Sequence, residues 1–185
     1  MKILLHTCCS NCAIYPFDLL KKRGENVSGL WFNPNIHPFQ EYTARLDSLK
    51  KLQELRGLDI LYAGEYGLVD FVRMVAGREH DRCRYCYSTR MEETARVAKQ
   101  EGLDAFSTTL LISPYQNQEL ISEIGGKLAE RYNVEFYFED FRPGFKEARD
   151  KAVELDLYRQ KYCGCIYSEM ERFMKKKKKR KKSGG

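Results

Sequence analysis

Short apolar runs alternate with longer stretches in which apolar residues return at helical spacing, and this alternation organises most of the chain. Lys2 to His6 reads as a buried strand, as do Val27 to Phe32, Leu58 to Tyr62, Asp104 to Thr109 and Val134 to Phe138. Ala13 to Lys22 reads as a helix stopped by Gly24, and Glu41 to Leu55 carries Leu46, Leu49, Leu52 and Leu55 at helical spacing before Gly57. Tyr66 to Val75 predicts a short helix. Glu92 to Gln100 continues one that begins near Tyr87 and is capped by Gly102. Asn117 to Arg131, interrupted in pattern by Gly125-Gly126, Lys146 to Leu155 and Ile166 to Met174 complete the helices. Strands alternating with helices predict an α/β fold, a parallel sheet flanked by helices on both faces. Right-handed crossovers leave few topologies, and the expected strand order is 3-2-1-4-5. Ligands in such sheets sit beyond the carboxyl ends of the strands. Cys8, Cys9 and Cys12 follow the first strand directly and Thr108 to Gln116 follow the fourth, so both segments should open on one edge.

Composition narrows the class. A length of 185 residues fits one domain, and 43% hydrophobic with 31% charged residues is ordinary for a soluble globular protein. No apolar run approaches the ~18 residues needed to cross a bilayer. The start, Met1 to His6, is too short an apolar stretch for a signal peptide, so the expected location is cytoplasmic, with no membrane partner. The net charge of +6 is uneven: residues 175–182 hold eight positive charges, leaving the rest near −2. The body is therefore not a strongly basic nucleic-acid binder, and any basic groove must be local. The expected division is a single catalytic domain over residues 1–174 and a basic tail over 175–185. That tail reads either as a solvated end or as an RNA-binding element.

Seven cysteines in a reducing compartment point to metal binding or catalysis rather than disulfides. Cys8-Cys9-Ser10-Asn11-Cys12 and Cys83-Arg84-Tyr85-Cys86 are two units able to supply four thiolates to a tetrahedral zinc or to a cluster. Scattered buried thiols are the plainer reading of such residues. Local ligands usually close a structural zinc site. Here the two halves are far apart in the chain and one occupies the ligand edge, which favours a functional centre. Cys163-Gly164-Cys165 suits a strained, easily reduced disulfide or two thiolates on one ion. Asp81 is either an oxygen ligand of a second metal or the cap of a helix starting near Cys83. His6 reads as a strand-end histidine, whereas His37 lies in a loop on the ligand edge and is a candidate for substrate contact or proton transfer. Ser113-Pro114-Tyr115-Gln116-Asn117 offers an aromatic face to stack a base and amides to read its edge; capping by Ser113 or Asn117 is the competing role.

The segments LLHTCCSNC, WFNPNIHPFQEY, REHDRCRYCY, STTLLISPYQ and YRQKYCGCIYSEME, taken together and in order, resemble the cobalamin-independent epoxyqueuosine reductase family of the QueH type. The resemblance runs from Lys2 to about Phe173, so the basic run lies outside it. It implies a fold related to the adenine-nucleotide alpha hydrolases and PP-loop (HUP) enzymes. Cys8 to Cys12 stand where those carry a phosphate loop, so ATP use is not expected. It implies removal of the epoxide oxygen of epoxyqueuosine at the tRNA wobble position, the last step of queuosine biosynthesis, with electrons from an external donor. It further implies a [4Fe-4S] cluster on Cys8, Cys9, Cys83 and Cys86, with Cys12 as an alternative to Cys8. Cys163 and Cys165 are implied as a redox dithiol or as ligands of a second, mononuclear iron, with Asp81 as partner. The catalytic residues expected on this basis are Cys163, Cys165, Asp81 and His37. The expected substrate-binding residues are Ser113, Tyr115, Gln116 and Asn117. Two other readings compete: a zinc-binding CxxC module, which predicts a colourless protein, and a thiol oxidoreductase using Cys9 and Cys12, which predicts activity without iron.

Overall fold

In a computed structural model of the chain, the backbone of residues 1–182 and the side chains of residues 1–174 are described. The backbone winds through β1 (Lys2–His6), α1 (Ser10–Lys22), β2 (Asn26–Trp31), α2 (Phe39–Arg56), β3 (Ile60–Tyr62), α3 (Leu68–Val75) and α4 (Arg82–Gln100). It continues through β4 (Ala105–Thr108), α5 (Gln118–Tyr132), β5 (Glu135–Phe136), α6 (Phe145–Glu154) and α7 (Ile166–Lys182). The strands form one five-stranded, wholly parallel sheet in the order β3-β2-β1-β4-β5, as the alternation predicts. Helix α1 packs against α2 and α6 on one side of the sheet; α4 packs against α3 and α5 on the other. Central strands covered on both faces are apolar throughout rather than alternating. Hence Ile3, Leu4 and Leu5 in β1, and Ala105 and Phe106 in β4, are all fully buried.

The two halves of the sheet diverge between β1 and β4, which lie side by side although the chain visits β2 and β3 between them. That reversal leaves a crevice at the carboxyl ends of β1 and β4, the place where open α/β sheets bind ligands. Here the Thr109 hydroxyl accepts from the Cys8 backbone N–H at 3.0 Å, tying the two strand ends together.

Most predicted elements are found within two residues of their expected ends. The two largest differences are at helix ends: α7 runs on to Lys182 rather than ending at Met174, and α4 begins at Arg82, so that Cys83 and Cys86 occupy its first turns. The expected basic tail starts inside α7; its side chains, and residues 183–185, lie outside the described residues. Among the described residues, no helix is long and apolar enough to cross a membrane.

Candidate metal and redox site

The first group of thiols forms where β1 ends. After His6 the chain turns at once into α1, and Cys9 is the N-cap: its Sγ accepts from the Cys12 N–H at 3.4 Å, in place of the usual hydroxyl or carboxylate. Capping folds Cys12 back onto Cys9, and Cys8 Sγ lies 3.9 Å from Cys9 Sγ. The sulfurs of Cys8, Cys9 and Cys12 all lie within 4.8 Å of one another. Among the described residues no other three metal-ligating side chains lie so close. Polar neighbours aim at these sulfurs. Thr109 Oγ1 donates to Cys8 Sγ at 3.3 Å, and Gln160 Nε2 donates to Cys9 Sγ at 3.0 Å. The Gln160 amide is oriented by Asn11, whose Nδ2 donates to its Oε1 at 2.9 Å. Hydrogen bonds from Cys12 and Cys9 hold the Cys8 thiol well below its ordinary value. Cys9 is lowered by Cys12 but pushed up to about 12 overall by its hydrogen bond to Cys8 and by burial. Cys12 is likewise raised by Cys8, Cys9 and burial.

The second group joins α4 to the segment before α7. Cys86 and Cys165 pack with Phe71 and Val75 in an apolar cluster, while Cys83 and Cys163 are exposed. Burial pushes the Cys86 thiol up to about 12, against the pull of Arg90, and burial also raises Cys83. Thiols held protonated in this way must release protons when they bind a metal. Arg82 fastens the two segments, pairing with Glu171 at 2.6 Å and lying 5.6 Å from the centre of the Tyr167 ring.

The CxC turn itself hangs from α2 and the connection that leads into it. Arg45 donates from Nη1 to the Cys163 carbonyl at 2.8 Å and from Nη2 to the Tyr162 carbonyl at 2.9 Å, while its Nε pairs with Glu41 at 2.7 Å. The His37 N–H donates to the Gly164 carbonyl at 2.8 Å, and the Tyr162 hydroxyl donates to the His37 carbonyl at 2.6 Å. Gly164 has φ +155°, a conformation side chains rarely adopt, so glycine between the cysteines is a backbone requirement.

A cleft of about 680 Å³ connects the groups, with Cys8, Cys12 and Cys163 in its wall beside Arg45 and Arg90. Three of the expected substrate-binding residues, Ser113, Tyr115 and Gln116, also line it. Tyr115 is 85% exposed. Gln116 donates from Nε2 to Cys163 Sγ at 3.2 Å and accepts at Oε1 from the Tyr87 hydroxyl at 2.6 Å. Asn117 is turned to structure: its Oδ1 accepts from the Leu120 N–H at 3.0 Å and caps α5. His37 is fully buried, its Nε2 donating to the Pro34 carbonyl at 3.1 Å and its Nδ1 accepting from the Ile166 N–H at 3.4 Å. Burial lowers it to about 4. With both nitrogens engaged away from the cleft, it positions the CxC turn. His6 is also buried, bonded to Thr108, Phe32 and Asn33, and burial lowers it to about 3. Asp81 stands at the N-terminal boundary of α4 without a side-chain cap bond; its half-exposed carboxylate lies 3.7 Å from Arg84.

Sequence reasoning did not single out Arg45, Arg90, Thr109 or Gln160. The last two lie inside the motif segments STTLLISPYQ and YRQKYCGCIYSEME, so their signal was proximity to the cysteines.

A family model described as epoxyqueuosine reductase QueH matches residues 3–171. An epoxyqueuosine reductase QueH from Dehalococcoides mccartyi is 39% identical over 94% of this chain and 96% of its own length. The Thermotoga maritima protein of the same name is 35% identical over 92% and 91%. A solved structure of a predicted subunit of tRNA methyltransferase from Methanocaldococcus jannaschii superposes with a TM-score of 0.54 at 17% identity. It covers 83% of this chain and 76% of that one, a likeness of fold.

Proposed function

The chain belongs to the epoxyqueuosine reductase QueH family, and from that premise we propose that it deoxygenates epoxyqueuosine at the wobble position of tRNA. The reaction takes up two electrons and two protons, breaks both epoxide C–O bonds, and leaves queuosine and water. The observation that carries this reading is that thiols of two distant segments, Cys8 and Cys12 after β1 and Cys163 of the CxC turn, line one cleft at the switch point of the sheet, with the α4 thiol Cys86 bonded to Arg90 in its wall.

The donor set fits an iron–sulfur centre: free thiols lie beside two fully buried guanidinium groups, and cysteine thiolate is the ligand such centres use. Cys8 and Cys9, with Cys12 beside them, and Cys83 and Cys86 would hold a [4Fe-4S] cluster. Cys163 and Cys165 would act as a dithiol or hold a second iron with Asp81. Bound there, the centre supplies electrons singly and a Lewis acid for the departing oxygen. The remaining work falls to the chain's own side chains. Gln116, oriented by Tyr87, holds Cys163 towards the cleft. Tyr115 offers its face to an unpaired base splayed from the anticodon loop. The electron donor is external. ATP is not part of this reading: the start of α1, where a helix N-terminus could take phosphate, is capped by the Cys9 sulfur.

Arg149, Arg159, Lys161 and Arg172 rim the cleft and have no ion-pair partner among the described residues. They suit the phosphates flanking a flipped base. The double variant Arg149→Gln/Arg159→Gln should flatten the dependence of log affinity for tRNA on log salt. Each lost phosphate contact in a single strand removes about 0.7 from that slope. Iron content should stay at the wild-type level. An unchanged slope would place the RNA elsewhere.

Anaerobically purified protein should be brown, contain iron and sulfide, and reduce epoxyqueuosine in tRNA when given a chemical reductant. The mutual closeness of Cys8, Cys9 and Cys12 also suits a single tetrahedral zinc. Colourless, zinc-loaded, inactive protein would favour that module, and turnover without iron would favour a thiol oxidoreductase.

A further inference from the structure

Arg90 is an anomaly among the arginines of this chain. It projects from α4 and is 2% exposed, yet among the described residues it has no carboxylate partner. Arg45, equally buried, is paired with Glu41. Arg90 donates from Nε to the Cys86 carbonyl at 3.1 Å and from Nη2 to Cys86 Sγ at 3.0 Å. The groups that otherwise act on its charge are Cys163, Cys8 and Tyr87. It lines the cleft together with Cys8 and Cys163. One guanidinium therefore touches the α4 cysteine Cys86 and shares the cleft wall with thiols of both other segments. A buried cation is tolerated only when an opposite charge compensates it, and a protonated thiol supplies little.

We propose that Arg90 is the counter-charge of the metal centre, a positioning residue completed electrostatically only when thiolates of all three segments are gathered around it. The inference rests on the metal reading above. A centre ligated by several thiolates is anionic, and reduction makes it more so. A fixed cation at hydrogen-bond distance from one ligand sulfur favours assembly of the centre and raises its reduction potential. Arg90 and the metal are then mutually dependent: without the metal the guanidinium is a buried charge with weak partners, and without the guanidinium the anionic centre loses its nearest compensation.

The test compares wild type with Arg90→Met, Arg90→Gln and Arg90→Lys. Each protein is purified anaerobically, stripped with a chelator and reloaded with ferrous iron and sulfide. Melting temperatures are measured before and after loading, and the midpoint potential by redox titration of the visible absorbance. In the stripped state Arg90→Met should melt at or above wild type, because a poorly compensated buried charge has been removed. After loading the order should reverse, with iron content at limiting iron at least twofold below wild type and a more negative midpoint potential. Arg90→Gln, neutral but still able to donate to the Cys86 carbonyl, should follow Arg90→Met in potential, which keeps the test intact should the methionine variant fold poorly. Arg90→Lys, which keeps the charge, should hold the potential close to wild type. Wild type that takes up no iron would sink the metal reading and this inference with it. Loaded wild type whose potential is matched by Arg90→Met and Arg90→Gln would overturn this inference alone, leaving Arg90 as a packing residue.

Discussion

Cys83→Ser and Cys86→Ser are each expected to retain about a tenth or less of the wild-type iron and sulfide, on the scale by which lesser changes around metal ligands already weaken binding. A serine hydroxyl does not ionise near neutral pH and is a poor substitute for thiolate at an iron–sulfur centre. For Cys86 the loss is compounded, because its sulfur is the acceptor for Arg90 Nη2 and serine would shorten the side chain away from it. Cys83 is exposed and has no such partner among the described residues, so its variant should fold as wild type does and isolates the ligand effect. Iron and sulfide analysis of anaerobically purified protein, with circular dichroism as a check on folding, decides the matter. Full loading of both variants would remove α4 from the ligand set. The centre would then have to be built from Cys8, Cys9 and Cys12, the three sulfurs that already lie together.

Cys163→Ser should lower turnover by about two orders of magnitude or more, the scale on which a positioned proton-transferring group acts, while most of the visible absorbance survives. Cys163 is the exposed member of its pair, stands in the wall of the cleft, and receives the Gln116 amide at 3.2 Å. The Tyr87 hydroxyl fixes that amide so that its NH2 group, not its oxygen, meets the sulfur. Such placement suits a sulfur that meets substrate more than one sunk in a cluster. Reduction of epoxyqueuosine in tRNA and the absorbance spectrum should be recorded on the same preparation. Wild-type turnover would refute a role for Cys163. Inactivity with the absorbance lost as well would move it into the ligand set.

Strand order and the edge on which the site lies were legible because parallel α/β sheets leave few solutions once apolar runs and helical stretches alternate. The cysteines were legible by spacing. What could not be read was the use made of polar residues inside helices. Arg45 and Arg90 sit in helices rich in charge, α2 and α4, where an arginine ordinarily belongs to the solvated face. Only the folded arrangement reveals that these two point inward, one to a carboxylate and two carbonyls, the other to sulfur. His37 looked available because it lies in a loop, yet the loop is packed beneath the CxC turn. Asn117 shows the reverse difficulty. The same side chain can cap a helix or read a base, and only the hydrogen bond to the Leu120 N–H distinguishes them. The start of α4 was left between Cys83 and Tyr87 because Arg82 to Tyr87 mixes charged, aromatic and cysteine residues without a clear stripe.

The suspension of the CxC turn from Arg45 and His37 has a consequence for the time at which the site comes into being. Arg45 and the Cys163 carbonyl it holds are 118 positions apart in the chain, and Gln160 lies 151 positions from the Cys9 sulfur it meets. Contacts of such separation close only after the chain between them has been ordered. The CxC wall of the cleft should therefore be among the last parts to form on refolding and among the first to open, so the Cys163 and Cys165 amides should exchange hydrogen faster than those of β1.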